Sequence, residues 1–433
     1  MKRKLILALM TICCIFLYSG CSLMLEEPSA LITPPANDQK QYQERKLINA
    51  TLADDEYLEV PSHMDKPAAS VDIDADGDGE KEKLVFWVKG NGFETGATIL
   101  KRTQEGDWVV LDRARQSGRT IDYFNMVDID QDGKKEIFLG VDIGGYNTLY
   151  IYRLSDKGFE AVEQMNYSLL DVVDVYDSGK KQLICALSAP NSNVPKTSLN
   201  MYQWENSAMK RMYHKEFDGS CQGMAFGLVD KNHKGLYLAE SNDFSTVNII
   251  LLLPDKKNGF EEQMTSTVMY LNTSLGQKTI DDVNGDGVLE VRSILQPTDA
   301  SKREPSDFLQ IWKGWDGNVG LDIVYGVIHN KSDGYEFVFP TYWLNNIRYQ
   351  FVTEKGSSQI RIYDGNAEEP AFVVYAQDEN SAKQLNKNPG LIALGSTPSR
   401  QRQYFAKRNT ETFAGHELTD AMIKGAFYIE GDQ

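Results

Sequence analysis

Three segments of this chain superimpose without gaps: Asp74-Ala-Asp76-Gly-Asp78-Gly79-x-x-Glu82, Asp128-Ile-Asp130-Gln-Asp132-Gly133-x-x-Glu136 and Asp282-Val-Asn284-Gly-Asp286-Gly287-x-x-Glu290. Each places oxygen-bearing side chains at positions 1, 3 and 5, glycine at position 6 and a carboxylate at position 9. A hard cation such as calcium takes six to eight oxygens at about 2.4 Å, and alternate side chains converge on it only if the chain turns sharply at position 6. Glycine permits that turn. Carboxylates crowded into one turn repel one another unless a cation lies between them. The spacing therefore predicts structural calcium held by Asp74, Asp76, Asp78 and Glu82, by Asp128, Asp130, Asp132 and Glu136, and by Asp282, Asn284, Asp286 and Glu290. The competing reading is a set of solvated Asx-type turns, because Asp, Asn and Gly favour turns on their own. Three copies with one spacing favour the metal.

EF-hand and dockerin loops open in the same way but require an acid at position 12 and flanking helices. Here position 12 is Val85, Leu139 and Ser293. An apolar or β-branched run comes soon after each glycine, such as Leu84-Val-Phe-Trp-Val88 or Ile137-Phe-Leu-Gly-Val141, so the loops start strands.

Two weaker copies fill the gap, Asp174-Val-Tyr-Asp-Ser-Gly179 and Asp230-Lys-Asn232-His-Lys234-Gly235. In the first, Tyr176, Ser178 and Gln182 stand at ligand positions and are too weak for calcium. In the second, Lys234 brings an ammonium to position 5, where it is expected to pair with Asp230 in place of a metal. Both loops are expected to be metal-free. First positions fall at 74, 128, 174, 230 and 282, steps of 54, 46, 56 and 52 residues.

Each period also carries a hairpin of two β-rich runs around a polar turn, as in Thr148–Tyr152 with Gly158-Phe159 or Val247–Leu251 with Gly259-Phe260. About 50 residues with one acidic loop and four strands is the pattern of a propeller blade. Over residues 55 to 330 the chain resembles the FG-GAP or VCBS family, the integrin-alpha-like propellers whose blades carry calcium loops of the form Asp-x-Asn-x-Asp-Gly-x-x-Asp. That resemblance implies a mainly β fold, a β-propeller over residues 51–334 with five legible blades and room for six or seven. Tyr57-Leu-Glu-Val60 is expected to pair with the last blade and close the ring. From about Tyr335 the period is lost. Glu336–Trp343, Ser358–Tyr363 and Ala371–Tyr375 read as strands and Leu418–Lys424 as a helix, giving residues 335–433 as a small α+β module or a terminal blade.

The N-terminus reads as an address. Lys2, Arg3 and Lys4 precede an apolar stretch from Leu5 to Tyr18, shorter than the roughly 20 residues that span a bilayer. Ser19-Gly20-Cys21 resembles the end of a bacterial lipobox, although Tyr18 stands where that motif has an aliphatic residue. Residues 1–20 are thus expected to be a lipoprotein signal peptide and Cys21 the lipidated residue, with two acyl chains making a stable membrane anchor. Residues 21–50, with Pro28, Pro34 and Pro35 and no apolar period, read as a flexible tether.

Of 433 residues, 41% are hydrophobic and 10% aromatic, enough for a large strand-rich core. The formal net charge is −17, which repels nucleic acid and suits cation binding. Outside the leader and Cys21, the cysteines are Cys185 and Cys221, which leaves pairing or two free thiols open.

Nothing in the sequence assembles a catalytic set. The five histidines form no ligand pair, and His416-Glu417-Leu-Thr-Asp420 lacks the second histidine of the zinc-peptidase motif. No Gly-x-Ser-x-Gly elbow or phosphate loop occurs. Most of the six tryptophans lie in apolar runs, with Trp315 the one expected to be exposed. The leading expectation is a non-catalytic surface propeller binding a protein, glycan or wall component. The alternatives are an extracytoplasmic hydrolase or lyase on that scaffold and a sensory lipoprotein of an envelope signalling system.

Overall fold

A computed structural model describes Tyr42 and residues 45–430 apart from 75–76, 104, 106, 156, 189–194, 242, 244, 270–277, 300–304, 355–356, 379–380, 383–389 and 398–399. The expected signal peptide, Cys21, most of the tether, and Asp76 lie outside the described residues. Ile48, within the stretch expected to be tether, is buried against Val85 and Leu100.

The fold is mainly β, a succession of antiparallel sheets taken in chain order. The second is typical: Thr120–Val127, Glu136–Asp142, Asn147–Ser155 and Gly158–Tyr167 pair in that order. The third runs from Leu169 to Asp218 and the fourth from Ser220 to Met269, each with four strands. The first has Ser70–Ile73, Glu82–Lys89, Glu94–Arg102 and Trp108–Ser117; the fifth begins with Ile280–Asp281, Glu290–Leu295, Leu309–Trp315 and Leu321–Asn330. Every acidic loop joins the first of these strands to the second.

Second strands are nearly continuous apolar runs because both of their faces are covered. Leu84 to Trp87, Ile137 to Leu139 and Leu236 to Ala239 have no exposed surface. Fourth strands alternate and face solvent, as in Ala208–Asp218. Between strands three and four the register slips at one equivalent place in all five sheets: Ile99/Leu100, Ile151/Tyr152, Met201/Tyr202, Leu251/Leu252 and Trp312/Lys313. A bulge there increases strand twist, as blades require.

Each sheet packs face-on against the next. Phe86 meets Phe124 edge-to-face at 4.7 Å between the first and second sheets. Phe138 and Ile151 pack with Leu183 of the third, and Ile184 with Leu236 of the fourth. Tyr237 packs with Val291 of the fifth. This is the blade-on-blade stacking of a β-propeller.

The expected closing strand behaves otherwise. Glu56–Leu58 pairs with Trp87–Lys89 of its own first sheet, extending the edge that Ser70–Ile73 covers only as far as Val85. The free edge of a strand is satisfied by the nearest segment, and the chain has not yet left the first sheet.

Beyond residue 330 the chain stays with the fifth sheet. Tyr335–Phe339 pairs with Leu321–Asn330, and Phe427–Ile429 returns from the C-terminus to pair with Tyr335–Phe337. The expected strand to Trp343 stops at Phe339, because Pro340 cannot donate to the ladder and a 3₁₀ turn, Thr341–Asn346, comes next. A sixth, five-stranded sheet (Ile347–Glu354, Ser357–Asp364, Phe372–Asp378, Arg402–Arg408, Leu391–Thr397) shares one core with the fifth through Phe337, Trp343 and Phe372. A short helix, Asp420–Gly425, is capped by the Thr419 hydroxyl, which accepts from Met422 N–H at 3.2 Å. Cys185 and Cys221 are free thiols.

Candidate functional site

The acidic loops share a backbone frame that their side chains build. The position 1 carboxylate accepts the position 6 amide in three of them: Asp128 from Gly133 at 3.1 Å, Asp174 from Gly179 at 2.6 Å, Asp282 from Gly287 at 2.9 Å. In four of the five loops positions 4 and 6 are both left-handed, as at Gly285 (φ +75°) and Gly287 (φ +85°), so glycine at position 6 meets a geometric need there; the fourth loop, with His233 and Gly235, does not share this turn. The position 9 side chain closes the loop from below by accepting the position 2 amide: Glu136 from Ile129 at 3.1 Å, Gln182 from Val175 at 2.9 Å, Glu290 from Val283 at 3.0 Å. Glu82, Glu136, Gln182 and Glu290 are all buried.

Oxygen donors converge in the second loop. Asp128, Asp130 and Glu136 each bring a carboxylate oxygen within 4.8 Å of the others, an arrangement that could hold a metal ion. Asp128 Oδ1 is buried and makes no hydrogen bond among the described residues. Arg153 approaches from the third strand, pairing with Asp130 and, through Nε, with Glu136 Oε1 at 3.2 Å. Burial, and after it the Asp130 charge, pushes the Glu136 carboxyl above its ordinary range. Asp132 Oδ1 instead accepts Lys134 N–H at 2.8 Å, within its own turn.

In the first loop Lys101 takes the corresponding place, 3.1 Å from Asp78 and 3.6 Å from Glu82. In the fifth loop the Asn284 amide lies between Asp286 and Glu290, donating at 3.3 Å to the first and 3.4 Å to the second, while Asp282 accepts the backbone amides of Gly285, Asp286 and Gly287. Burial, then the charges of Asp286, Asp282 and Asp281, push the Glu290 carboxyl up to about 7. Positions 1, 3, 5 and 9 of this loop all offer an oxygen, the donor a hard cation takes, but among the described residues it is in the second loop that three carboxylate oxygens come within 4.8 Å of one another.

Lys234 departs from expectation. Its ammonium pairs with Asp177 of the preceding loop, and Asp230 instead takes the His233 ring at 2.8 Å and the Asn232 and His233 amides. The lysine points across the gap between sheets, so it ties two loops together where a metal would have bound one. Neighbouring loops touch elsewhere too. Gln131 donates to Gly179 O at 3.0 Å, and Leu289 N–H to Leu228 O at 2.8 Å. Between loops one and two lies a cleft of about 430 Å³ lined by Asp78, Asp132, Lys134, Arg153 and Glu160; between loops three and four lies one of about 260 Å³ that includes Tyr176, His233 and Lys234.

A second cluster sits on the first strand of the second sheet. Residues 62–63 lie along its free edge, with Ser62 N–H on Ile121 O at 3.1 Å and His63 N–H on Asp122 O at 2.7 Å. His63 Nδ1 reaches Asp122 Oδ1 at 3.1 Å, while Tyr167 Oη donates to Asp122 Oδ2 at 2.6 Å. The Asp122 carboxylate holds the His63 imidazole above its ordinary pKa. A carboxylate-oriented, solvent-facing imidazole is an arrangement able to move a proton.

No protein-family model matches the chain, and no curated protein matches it. Among solved structures it is similar to the exotype rhamnogalacturonan lyase YesX, with 14% identity and a TM-score of 0.26 over 63% of this chain and 68% of that one. It is also similar to the rhamnogalacturonan lyase YesW (12%, 0.30, 61% and 68%) and to the Dos1 propeller (11%, 0.28, 77% and 82%).

Of the residues singled out from the sequence, the structure brings Asp128, Asp130 and Glu136 together, and gathers Asp282, Asn284, Asp286 and Glu290 around one loop. Asp78 and Glu82 meet at Lys101. Asp74 has no described contact with them. Trp315, expected to be exposed, is half-buried: its ring lies edge-on to His233 at 5.7 Å, and its Nε1 donates to Asn318 O at 2.9 Å. His416 and Glu417 are exposed in a two-residue strand, and Asp420 pairs with Arg408 at 2.8 Å. Lys101, Arg153 and the His63–Asp122 pair had no local signal, since their partners lie 17 to 59 residues away.

Proposed function

We propose that this chain is a lipid-anchored protein facing outside the cytoplasm, held to the membrane through Cys21, whose calcium-stabilised propeller binds a protein, glycan or cell-wall component without doing chemistry on it. The observation that carries the binding reading is the rim of loops: all five join first to second strands, the second to the fifth are tied side by side, and clefts open between the first and second and between the third and fourth. Calcium is the ion best suited to the oxygen-only fifth loop. The net charge of −17 keeps such a surface off nucleic acid.

The test is retention. Full-length chain carrying Cys21→Ala is incubated with envelope fractions of the source organism, with calcium and then with chelator. Calcium-dependent capture of one protein or glycan supports the reading; no capture in either condition removes it. Incorporation of labelled palmitate into the parent, lost in Cys21→Ala, tests the anchor separately.

A hydrolase or lyase is the second reading, and one observation favours it, the His63 ring aligned by Asp122 and Tyr167. Turnover of an envelope polysaccharide that His63→Ala abolishes would replace the first reading with this one.

A further inference from the structure

In four of the five sheets the third strand places one residue opposite position 9 of the acidic loop, and two observations identify it. The pairings Lys83↔Leu100, Ile137↔Tyr152, Gln182↔Gln203 and Val291↔Lys313 put Lys101, Arg153, Gln203 and Gly314 across from Glu82, Glu136, Gln182 and Glu290. The recurrent bulge gives the same answer: each of the four comes directly after the bulged pair.

Charge is matched across this position in three sheets. Lys101 faces Glu82 at 3.6 Å, and Arg153 faces Glu136 at 3.2 Å. Gln203 accepts from Gln182 at 3.0 Å, neutral against neutral. In the fifth sheet the match fails, because a buried Glu290 faces a glycine that has no side chain to offer. Asp282 and Asp286 add to that charge, and no lysine or arginine pairs with any of the three among the described residues. Arg153 is moreover braced from outside, its guanidinium lying 5.0 Å over the Trp204 ring of the neighbouring sheet.

We propose that Lys101 and Arg153 are tethered cations that compete with calcium for the first and second loops, so that the fifth loop, which has none, is filled first and most tightly. The proposal rests on the calcium reading above. A side-chain cation fixed at the site has a high effective concentration. Calcium must displace it before coordinating Asp130 and Glu136. At the fifth loop no charged group has to leave: the Asn284 amide, which donates to Asp286 and Glu290, has only to turn its oxygen inward.

Calorimetric calcium titration of the full chain carrying Cys21→Ala tests this, beside the same chain with Asp286→Ala or Arg153→Gln. The expected result is one tight equivalent that Asp286→Ala removes, and a second equivalent strengthened at least tenfold by Arg153→Gln. Arg153→Gln should also lower the melting temperature in chelator, where Asp130 and Glu136 lose their paired guanidinium, and calcium should restore it. Equal sites in the parent that Arg153→Gln leaves unchanged would overturn the proposal. So would an unchanged melt in chelator, whatever the calcium result. If neither chain binds calcium while Arg153→Gln still melts early, the calcium reading fails and the order of filling with it, yet Arg153 remains the counter-ion of its loop.

Discussion

Tyr167 donates its hydroxyl hydrogen to Asp122 at 2.6 Å, from the last strand of the second sheet to the first. The same carboxylate receives the ring of His63, a residue from a segment that precedes the first acidic loop. Three distant parts of the chain thus meet at one carboxylate.

His63 should therefore titrate above 6.5, and Asp122→Asn should return it toward the ordinary imidazole value. A raised histidine adds stability that is complete below its unfolded pKa and lost as pH rises through the folded one. With 65% of the His63 side chain exposed, solvent screening keeps that contribution small. Following the His63 ring protons by NMR from pH 5 to 9 checks it; identical midpoints in parent and Asp122→Asn would refute the pairing.

Gly140 guards the same contact. A β-carbon there would lie 2.0 Å from the Tyr167 hydroxyl and 2.8 Å from the Tyr123 β-carbon. Gly140→Ala should cost about 1–3 kcal/mol through overpacking, read as a lower urea midpoint. By pushing Tyr167 off Asp122 it should also move the His63 titration, whereas a midpoint equal to the parent's in urea would show that the strand simply yields.

Glu240 lies buried in the fourth sheet with one oxygen lacking a hydrogen bond, and its carboxyl is pushed up to about 7, by burial first and then by Asp218 and Glu262. Folding then favours the protonated form. Its stabilisation is complete below about 4.5 and declines as pH rises through about 7. Glu240→Gln should raise stability at pH 8, on the order of 2 kcal/mol, and flatten the slope between pH 5 and 8. Parallel pH profiles for parent and variant would count against it.

Calcium should raise the melting temperature of the chain. A site with a dissociation constant of about 0.1 to 1 mM contributes roughly 0.4 to 1.4 kcal/mol at millimolar calcium. Asp282→Ala should remove most of the response, because it deletes both a donor and the acceptor for Gly287 N–H. Melts that ignore calcium and chelator alike would leave the loops as plain turns.

The sequence by itself determined what is local. Spacing within ten residues announced the loops, and apolar runs announced the strands they start, because turn geometry and burial on both faces act on neighbours along the chain. The hairpins of strands three and four were legible for the same reason. Cross-strand partnership was not. That Arg153 faces Glu136 depends on the register of two strands, and that Lys234 meets Asp177 depends on how two sheets stack; neither leaves a pattern at fixed spacing. The early segment at Glu56–Leu58 and the late one at Phe427–Ile429 likewise went where an unpaired edge lay open, a choice made only when the sheets existed. Which loops face a lysine or arginine across the sheet, and which face a glycine, was decided there.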